Sequence, residues 1–185
     1  MDTRRDFQQT LEDARAGEGT ALGELFRDLY PRIVRYLSAF EPGEADDLGS
    51  DTWIDVVSAL ERFEGDERAL HALAFTIARR RLIDLHRRRS RRPVEAIEPD
   101  RLERLGEVGD VEQEALAELA THVALERIAR LPREQAEVVL LRVLGGLSAE
   151  DVARITGKRP GTVRVIQHRA LRRLAEQISQ DGVTR

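Results

Sequence analysis

Apolar residues recur every three or four positions along most of the chain, the spacing of amphipathic helices. Leu22, Leu25, Phe26, Leu29 and Ile33 make one stripe. Ala45, Leu48, Thr52, Trp53, Val56, Val57 and Leu60 make a second, and Leu70, Leu73, Ala74, Ile77, Ala78, Leu82 and Leu85 a third. Pro31 interrupts the first stripe, where a missing N–H predicts a kink or a break. No stretch shows convincing period-two alternation, so the expected fold class is all-α. Farther on, Leu119, Val123, Leu125 and Ile128 lead into Leu131-Pro132. A further apolar helix is expected over roughly Glu134 to Leu144, stopping at Gly145-Gly146.

The pattern divides near the middle. The third stripe runs into arginines and stops at Pro93, which disfavours helix just before it. The segment PVEAIEPDRLERLGEVGDVEQEA that follows carries two Pro, two Gly and weak periodicity. It reads as a linker between two small helical domains. The expected boundaries are 1–92, 93–116 and 117–185.

Ser148 to Leu174 reads as a helix-turn-helix. Ser148 can cap a helix, with Asp151 three residues on as in a capping box. Ala153 is small where two helices cross, and Gly157 stands where the turn needs an unusual backbone angle. Val163 and Ile166 then form the inward face of the second helix. From Val152 to Ala175 there are seven Arg or Lys and no Asp or Glu. A protruding helix with that charge suits the major groove of DNA.

Charge sharpens the division. The net charge is −4, yet Thr76–Arg92 holds eight Arg against one Asp, and Val94–Glu118 nine acids against two Arg. Glu41 to Asp55 has six acids and no base. Nucleic-acid binding responds to such local potentials rather than to the average. The plainer account of any one run is a solvated helix face. Two basic blocks around an acidic connector favour nucleic acid.

Composition removes other classes. The chain has no cysteine, so it has no disulfide, thiol nucleophile or cysteine-ligated zinc. No apolar run reaches membrane-spanning length, and the N-terminus lacks a signal-peptide core. A cytoplasmic protein without membrane insertion is expected. His71, His86, His122 and His168 are dispersed, no phosphate-binding glycine loop is present, and no catalytic constellation emerges. Glu44, Asp46, Asp47 and Asp51 are more simply an acidic face for a basic partner than a magnesium site. No enzyme activity and no cofactor are expected.

In FTIARRRLIDLHRRRSRR, Phe75, Ile77, Ala78, Leu82 and Leu85 can face a core while Arg79, Arg80, Asp84, Arg87 and Arg88 face outward. Such a helix can lie along phosphates and reach base edges. The polar loop around Gly65 precedes it and carries Phe63, either a core anchor or a ring on which an unpaired base stacks.

Taken in order, these segments resemble bacterial sigma factors of the extracytoplasmic-function type, over nearly the whole chain. EADDLGSDTWIDVVSAL is similar to the family helix that docks on the clamp helices of the RNA polymerase β′ subunit. FTIARRRLIDLHRRRSRR is similar to the helix that meets the promoter −10 element. LPREQAEVVLLRVLGGLSAEDVARITGKRPGTVRVIQHRALRRL resembles the domain whose last helix meets the −35 element. The resemblance implies a promoter-specificity subunit, with core RNA polymerase, promoter DNA and an anti-sigma factor as partners. It implies core polymerase binding through Asp46, Asp47, Leu48, Asp51 and Trp53. For the −10 element it implies Phe63, Arg79, Arg80, Asp84, Arg87 and Arg88. For the −35 element it implies Lys158, Arg159, Thr162, Arg164, Val165, His168, Arg169 and Arg172. It also implies that the acidic linker runs through the polymerase's positively charged channels.

The chain departs from the family pattern at several positions. Ser50 stands where Gln is frequent, Leu73-Ala74 where a Trp is usual, and Arg80 where Asn is common. Val165-Ile166 replaces a frequent Ser-Arg pair, which alters the side chains that meet bases. One alternative is a helix-turn-helix repressor or activator that binds an operator without polymerase. Another is an accessory domain of a nucleic-acid enzyme.

Overall fold

The computed structural model describes residues 3–91 and 123–183. Among them every regular element is helical. The N-terminal unit comprises α1 (Thr3–Arg15), α2 (Gly19–Ser38), a 3-10 turn at Pro42–Glu44, α3 (Ala45–Leu60) and α4 (Glu67–Arg91). The C-terminal unit comprises the helical residues 123–129, α5 (Arg133–Val143), α6 (Ala149–Thr156) and α7 (Pro160–Val183). The acidic segment expected to link the two lies outside the described residues.

The three N-terminal stripes meet in one core. Ile33, Tyr36 and Leu37 of α2, Val56 of α3, and Ala74, Phe75 and Ala78 of α4 are all fully buried. Each large apolar side chain so buried contributes roughly 1.5–3 kcal/mol. Tyr36 meets Phe75 and Phe40 edge-on at 5.5 and 5.4 Å between ring centroids, an arrangement aromatic quadrupoles favour. Pro31 does not break α2, which runs through it from Gly19 to Ser38. The buried face on both sides of the proline holds the helix together despite the lost backbone bond. Helix α1 carries no strong apolar stripe, yet it buries Leu11 and Ala14. Its Arg15 donates to the Leu60 carbonyl at the end of α3, at 3.1 Å.

The second core gathers Val138, Leu140 and Leu141 of α5, Leu147, Val152 of α6, and Val163 and Ala170 of α7, all fully buried. Ser148 forms the capping box with Asp151. Gly157 closes α6 in the left-handed region at φ 71°, where a Cβ would be strained. That turn aims α7 away from α6 and fixes which of its faces remains open.

Candidate nucleic-acid and polymerase interface

Helix α7 opens at Pro160, a position whose N–H has no helical partner in any residue. Val163, Ile166 and Ala170 turn inward, three and four residues apart as one helix face requires. Thr162, Arg164, Val165, His168, Arg169 and Arg172 are thereby exposed. Val165 keeps half its surface accessible, an apolar tip able to meet a thymine methyl group among basic neighbours. Two of these cations, and Lys158 at the turn, have carboxylates nearby. Arg164 lies 2.5 Å from Glu150, Lys158 lies 2.5 Å from Glu134, and Arg172 lies 3.8 Å from Glu176. Solvent screens such surface pairs and leaves them weak, so a phosphate or base edge can displace them. Arg159, at the turn, is exposed.

Helix α4 presents Arg80, Arg87 and Arg88 to solvent, with Asp84 bridging Arg80 and Arg87 at 3.9 and 3.7 Å. Arg79 behaves differently from the outward position expected of it. Its side chain is only 25% exposed, and Nε donates to Glu137 Oε1 of α5 at 2.9 Å. Phe63 is partly buried and packed against the core. The ring therefore holds its loop and is not free in solvent.

Asp46 and Asp47 stand exposed in the first turn of α3, where the helix dipole favours negative charge. Leu48 points inward and is buried, so it anchors this helix and offers no surface to a partner. Asp51 is engaged within the chain, by Arg81 Nη1 at 2.8 Å. Trp53 meets Phe26 edge-on at 5.2 Å, and Phe26 stacks on Tyr30 at 4.4 Å. Ile54 beside them is 62% exposed. Carboxylates next to a shallow aromatic and aliphatic surface suit a basic protein partner with an apolar centre. Ile54 and Tyr30 were not singled out by the sequence, and Phe26 was placed in the first apolar stripe, yet it is 37% exposed. Ile54 lies off the apolar stripe, and that mismatch is the available signal.

The arrangement therefore has two basic faces and one acidic, aromatic face on two helical units. The Sigma-70 region 2 family matches residues 25–92, and the Sigma-70, region 4 family matches residues 122–174. The chain is similar to the ECF RNA polymerase sigma factor SigD of Mycobacterium tuberculosis, 34% identical over 93% of this chain and 84% of SigD. The chain belongs to the ECF RNA polymerase sigma factors. The ECF sigma factor ShbA of Streptomyces griseus is 35% identical over 85% of this chain and 87% of its own length. Among solved structures, CnrH in complex with the cytosolic domain of CnrY shares the fold, with a TM-score of 0.60 at 20% identity. The match covers 95% of this chain and 98% of that one.

This sigma factor is a promoter-specificity subunit that binds core RNA polymerase and promoter DNA, and it carries out no covalent chemistry of its own. Among the described residues no helix is long and apolar enough to cross a membrane. Asp28, Glu67 and His71 bring possible metal-ligand atoms within 4.8 Å of one another. Two of the three are already engaged. His71 Nε2 lies 3.0 Å from Asp28 Oδ2, its Nδ1 lies 3.1 Å from the Gly145 carbonyl, and Asp28 Oδ1 accepts from Arg32 at 2.6 Å. A cation would have to part His71 Nε2 from Asp28 Oδ2.

Proposed function

We propose that residues 1–92 form the unit that binds core polymerase and the −10 element, and residues 117–185 the unit that binds the −35 element, joined by an acidic linker over 93–116. Asp46, Asp47 and Trp53 of α3 carry polymerase binding, extended by Ile54. Arg80, Arg87 and Arg88 hold the −10 phosphates, and Arg79 joins them when released from Glu137. In α7, Arg164, Val165, His168 and Arg169 face the −35 bases, while Lys158, Arg159, Thr162 and Arg172 hold phosphates. The observation that carries this reading is the inward locking of Val163, Ile166 and Ala170, which leaves one basic face of α7 open. The protein acts in the cytoplasm, where its polymerase and promoters are.

Purified core polymerase with a library of promoters tests the reading: transcription should start only when this chain is added. Asp46→Arg with Asp47→Arg should abolish core binding with helical content unchanged. Specific operator binding without polymerase would favour an autonomous regulator instead. We also propose a regulatory anti-sigma protein. It would need patches of both signs, because the polymerase face is acidic and the DNA faces are basic. With no cysteine in the chain, a redox signal would enter through that partner.

A further inference from the structure

Helices α2 and α4 each carry two potential metal ligands one turn apart. Glu24 and Asp28 stand four residues apart on α2, and Glu67 and His71 four apart on α4. That spacing puts two side chains on one face of a helix. All four line a cavity of about 110 Å³ whose apolar walls include Phe7 and Leu70. One ligand atom each from Asp28, Glu67 and His71 lies within 4.8 Å of the other two. Facing helices of a bundle build metal centres from carboxylate and histidine pairs of this kind.

The ring of His71 supplies a second, separate observation. It is 7% exposed, and its Nδ1 lies 3.1 Å from the Gly145 carbonyl. A carbonyl only accepts, so Nδ1 carries the ring proton and the neutral ring has its lone pair on Nε2. That lone pair faces Asp28 Oδ2 at 3.0 Å, and an ionised carboxylate is also an acceptor only. Two acceptors at this distance need a positive centre between them. A second ring proton would serve Asp28 alone. It would leave Glu67 and Glu24 at the same cavity with no cation among the described residues to meet them. A divalent ion serves all of them together.

The geometry suits such an ion. Zinc bonds to nitrogen and oxygen of about 2.0–2.2 Å, at a tetrahedral angle, set two ligand atoms about 3.3 Å apart. The His71–Asp28 pair therefore needs only a slight opening. The other atom of each ligand is already held from outside, Asp28 Oδ1 by Arg32 at 2.6 Å and His71 Nδ1 by the Gly145 carbonyl. Such outer contacts fix ring orientation and ligand direction. Glu24 and Glu67 are exposed, so the cavity has a carboxylate-lined entrance for a cation.

We propose that Asp28, Glu67 and His71, with Glu24 at the entrance, form a binding site for a divalent first-row transition ion of the zinc class. The imidazole selects such ions over magnesium and calcium, which prefer oxygen ligands alone. The site stands apart from the residues assigned to polymerase and DNA. Glu67 is the first residue of α4, directly after the loop 61–66. A bound ion therefore ties the end of that loop to α2 and stiffens the approach to the basic helix.

Zinc titration of the tag-free full chain, without polymerase or DNA, tests the site. Calorimetry should show one zinc per chain, and the thermal midpoint should rise with zinc above its dissociation constant. Imidazole NMR separates the four histidines, with His71 assigned through His71→Gln. Only the His71 ring should shift at one equivalent of zinc. Glu67→Gln alters an exposed side chain and should weaken zinc binding about tenfold or more, with the fold unchanged. Magnesium at the same concentration should not compete. The proposal is overturned by an unchanged thermal midpoint at about a hundredfold excess of zinc. A response confined to His86, His122 or His168, or equal zinc affinity in the Glu67→Gln protein, overturns it as well. Equal binding of magnesium does the same, because it would reduce the cluster to an acidic patch without an imidazole ligand.

Discussion

Arg81 of α4 grips Asp55 of α3 with two nitrogens, Nη2 at 2.6 Å and Nε at 3.1 Å, while its Nη1 holds Asp51 at 2.8 Å. The planar guanidinium fork suits this bridging, and lysine cannot reproduce it. The arginine is 27% exposed but the two carboxylates are about half exposed, so solvent screens much of the attraction. Arg81→Ala should lower stability by about 1 kcal/mol, and Arg81→Lys should recover only part. Urea unfolding of the full chain measures both. The same change should weaken core polymerase binding, because α3 loses the clamp that orients its acidic face.

The capping box makes the C-terminal unit sensitive to acid. Burial alone would raise the Asp151 carboxyl, but the Ser148 hydroxyl and backbone N–H, with Arg154 and Arg68, hold it below the usual range. A depressed carboxyl contributes stability that is present above its unfolded value, about 3.9, and lost as pH falls through the folded one. Thermal unfolding should therefore show an acid limb beginning near pH 4. Asp151→Asn should flatten that limb. Ser148→Ala should remove roughly 1 kcal/mol at neutral pH.

Much of the fold was legible because helix periodicity is a local property. The stripes of α2, α3 and α4 became buried faces, and α5 was expected over Glu134–Leu144 and spans Arg133–Val143. The turn at Gly157 followed from one residue type with one conformational need. Pro31 does not break its helix, because tertiary packing outweighs one missing N–H. The partners of Arg79 and Asp51 were hidden for another reason. Glu137 lies 58 residues from Arg79, and Arg81 lies 30 from Asp51, so no local pattern pairs them. The resemblance counted Leu48 in the docking surface, yet its own place in the stripe points inward and it is buried.

On α7, base reading and phosphate holding should separate by substitution. Arg164 stands on the open face, and its present partner Glu150 is itself exposed. Lys158 lies at the turn, away from that face. A bidentate base contact is worth about 1–3 kcal/mol of discrimination. Arg164→Ala should flatten preference at one −35 position in a selected promoter library. Lys158→Ala should weaken all sequences alike and reduce the salt dependence of binding by about one phosphate contact. A position-specific profile for the Arg164 variant identical to that of the unaltered protein would remove Arg164 from base reading.

His86 should make the contact between the two helical units depend on pH, because Arg133 of α5 reaches it from the other unit. Arg133 Nη1 donates to its Nδ1 at 3.1 Å, which leaves the ring proton on Nε2, 2.7 Å from Glu41. Burial first, then the charge of Arg133, with Arg89 adding to both, hold its pKa below the ordinary value, while Glu41 opposes them. The neutral ring is therefore the one that the contact with Arg133 accepts. Its contribution is fully present above about pH 6.5 and is lost as pH falls toward the depressed value. Small-angle scattering of the free protein should show expansion between pH 8 and pH 5.5. His86→Gln, which cannot titrate, should show a smaller change. Equal expansion in both proteins would assign the effect to other groups.

The loop before α4 should govern strand opening through its packing. Gln8 donates to the Gly65 carbonyl at 3.0 Å, and Asp66 accepts from the Ala69 N–H at 2.9 Å. A Cβ at Gly65 would lie 2.8 Å from the Ala69 Cβ and 2.9 Å from Phe63 Cζ. Phe63 thus fixes the loop against the core, and Gly65 leaves room for it. Extruding a base from the duplex costs a few kcal/mol, which a preformed loop beside a basic helix can offset. Gly65→Ala should push the Phe63 ring and shift the loop, since Ala69 is backbone-anchored and cannot yield. Core binding and closed-complex formation should stay near normal, while permanganate reactivity of unpaired thymines at the −10 element falls. Deleting a few residues between Glu61 and Asp66 should have the same effect more strongly. A premelted −10 bubble should restore transcription in both cases, because it removes the step the loop assists. Normal permanganate reactivity on duplex promoter with the shortened loop would place melting elsewhere on the protein.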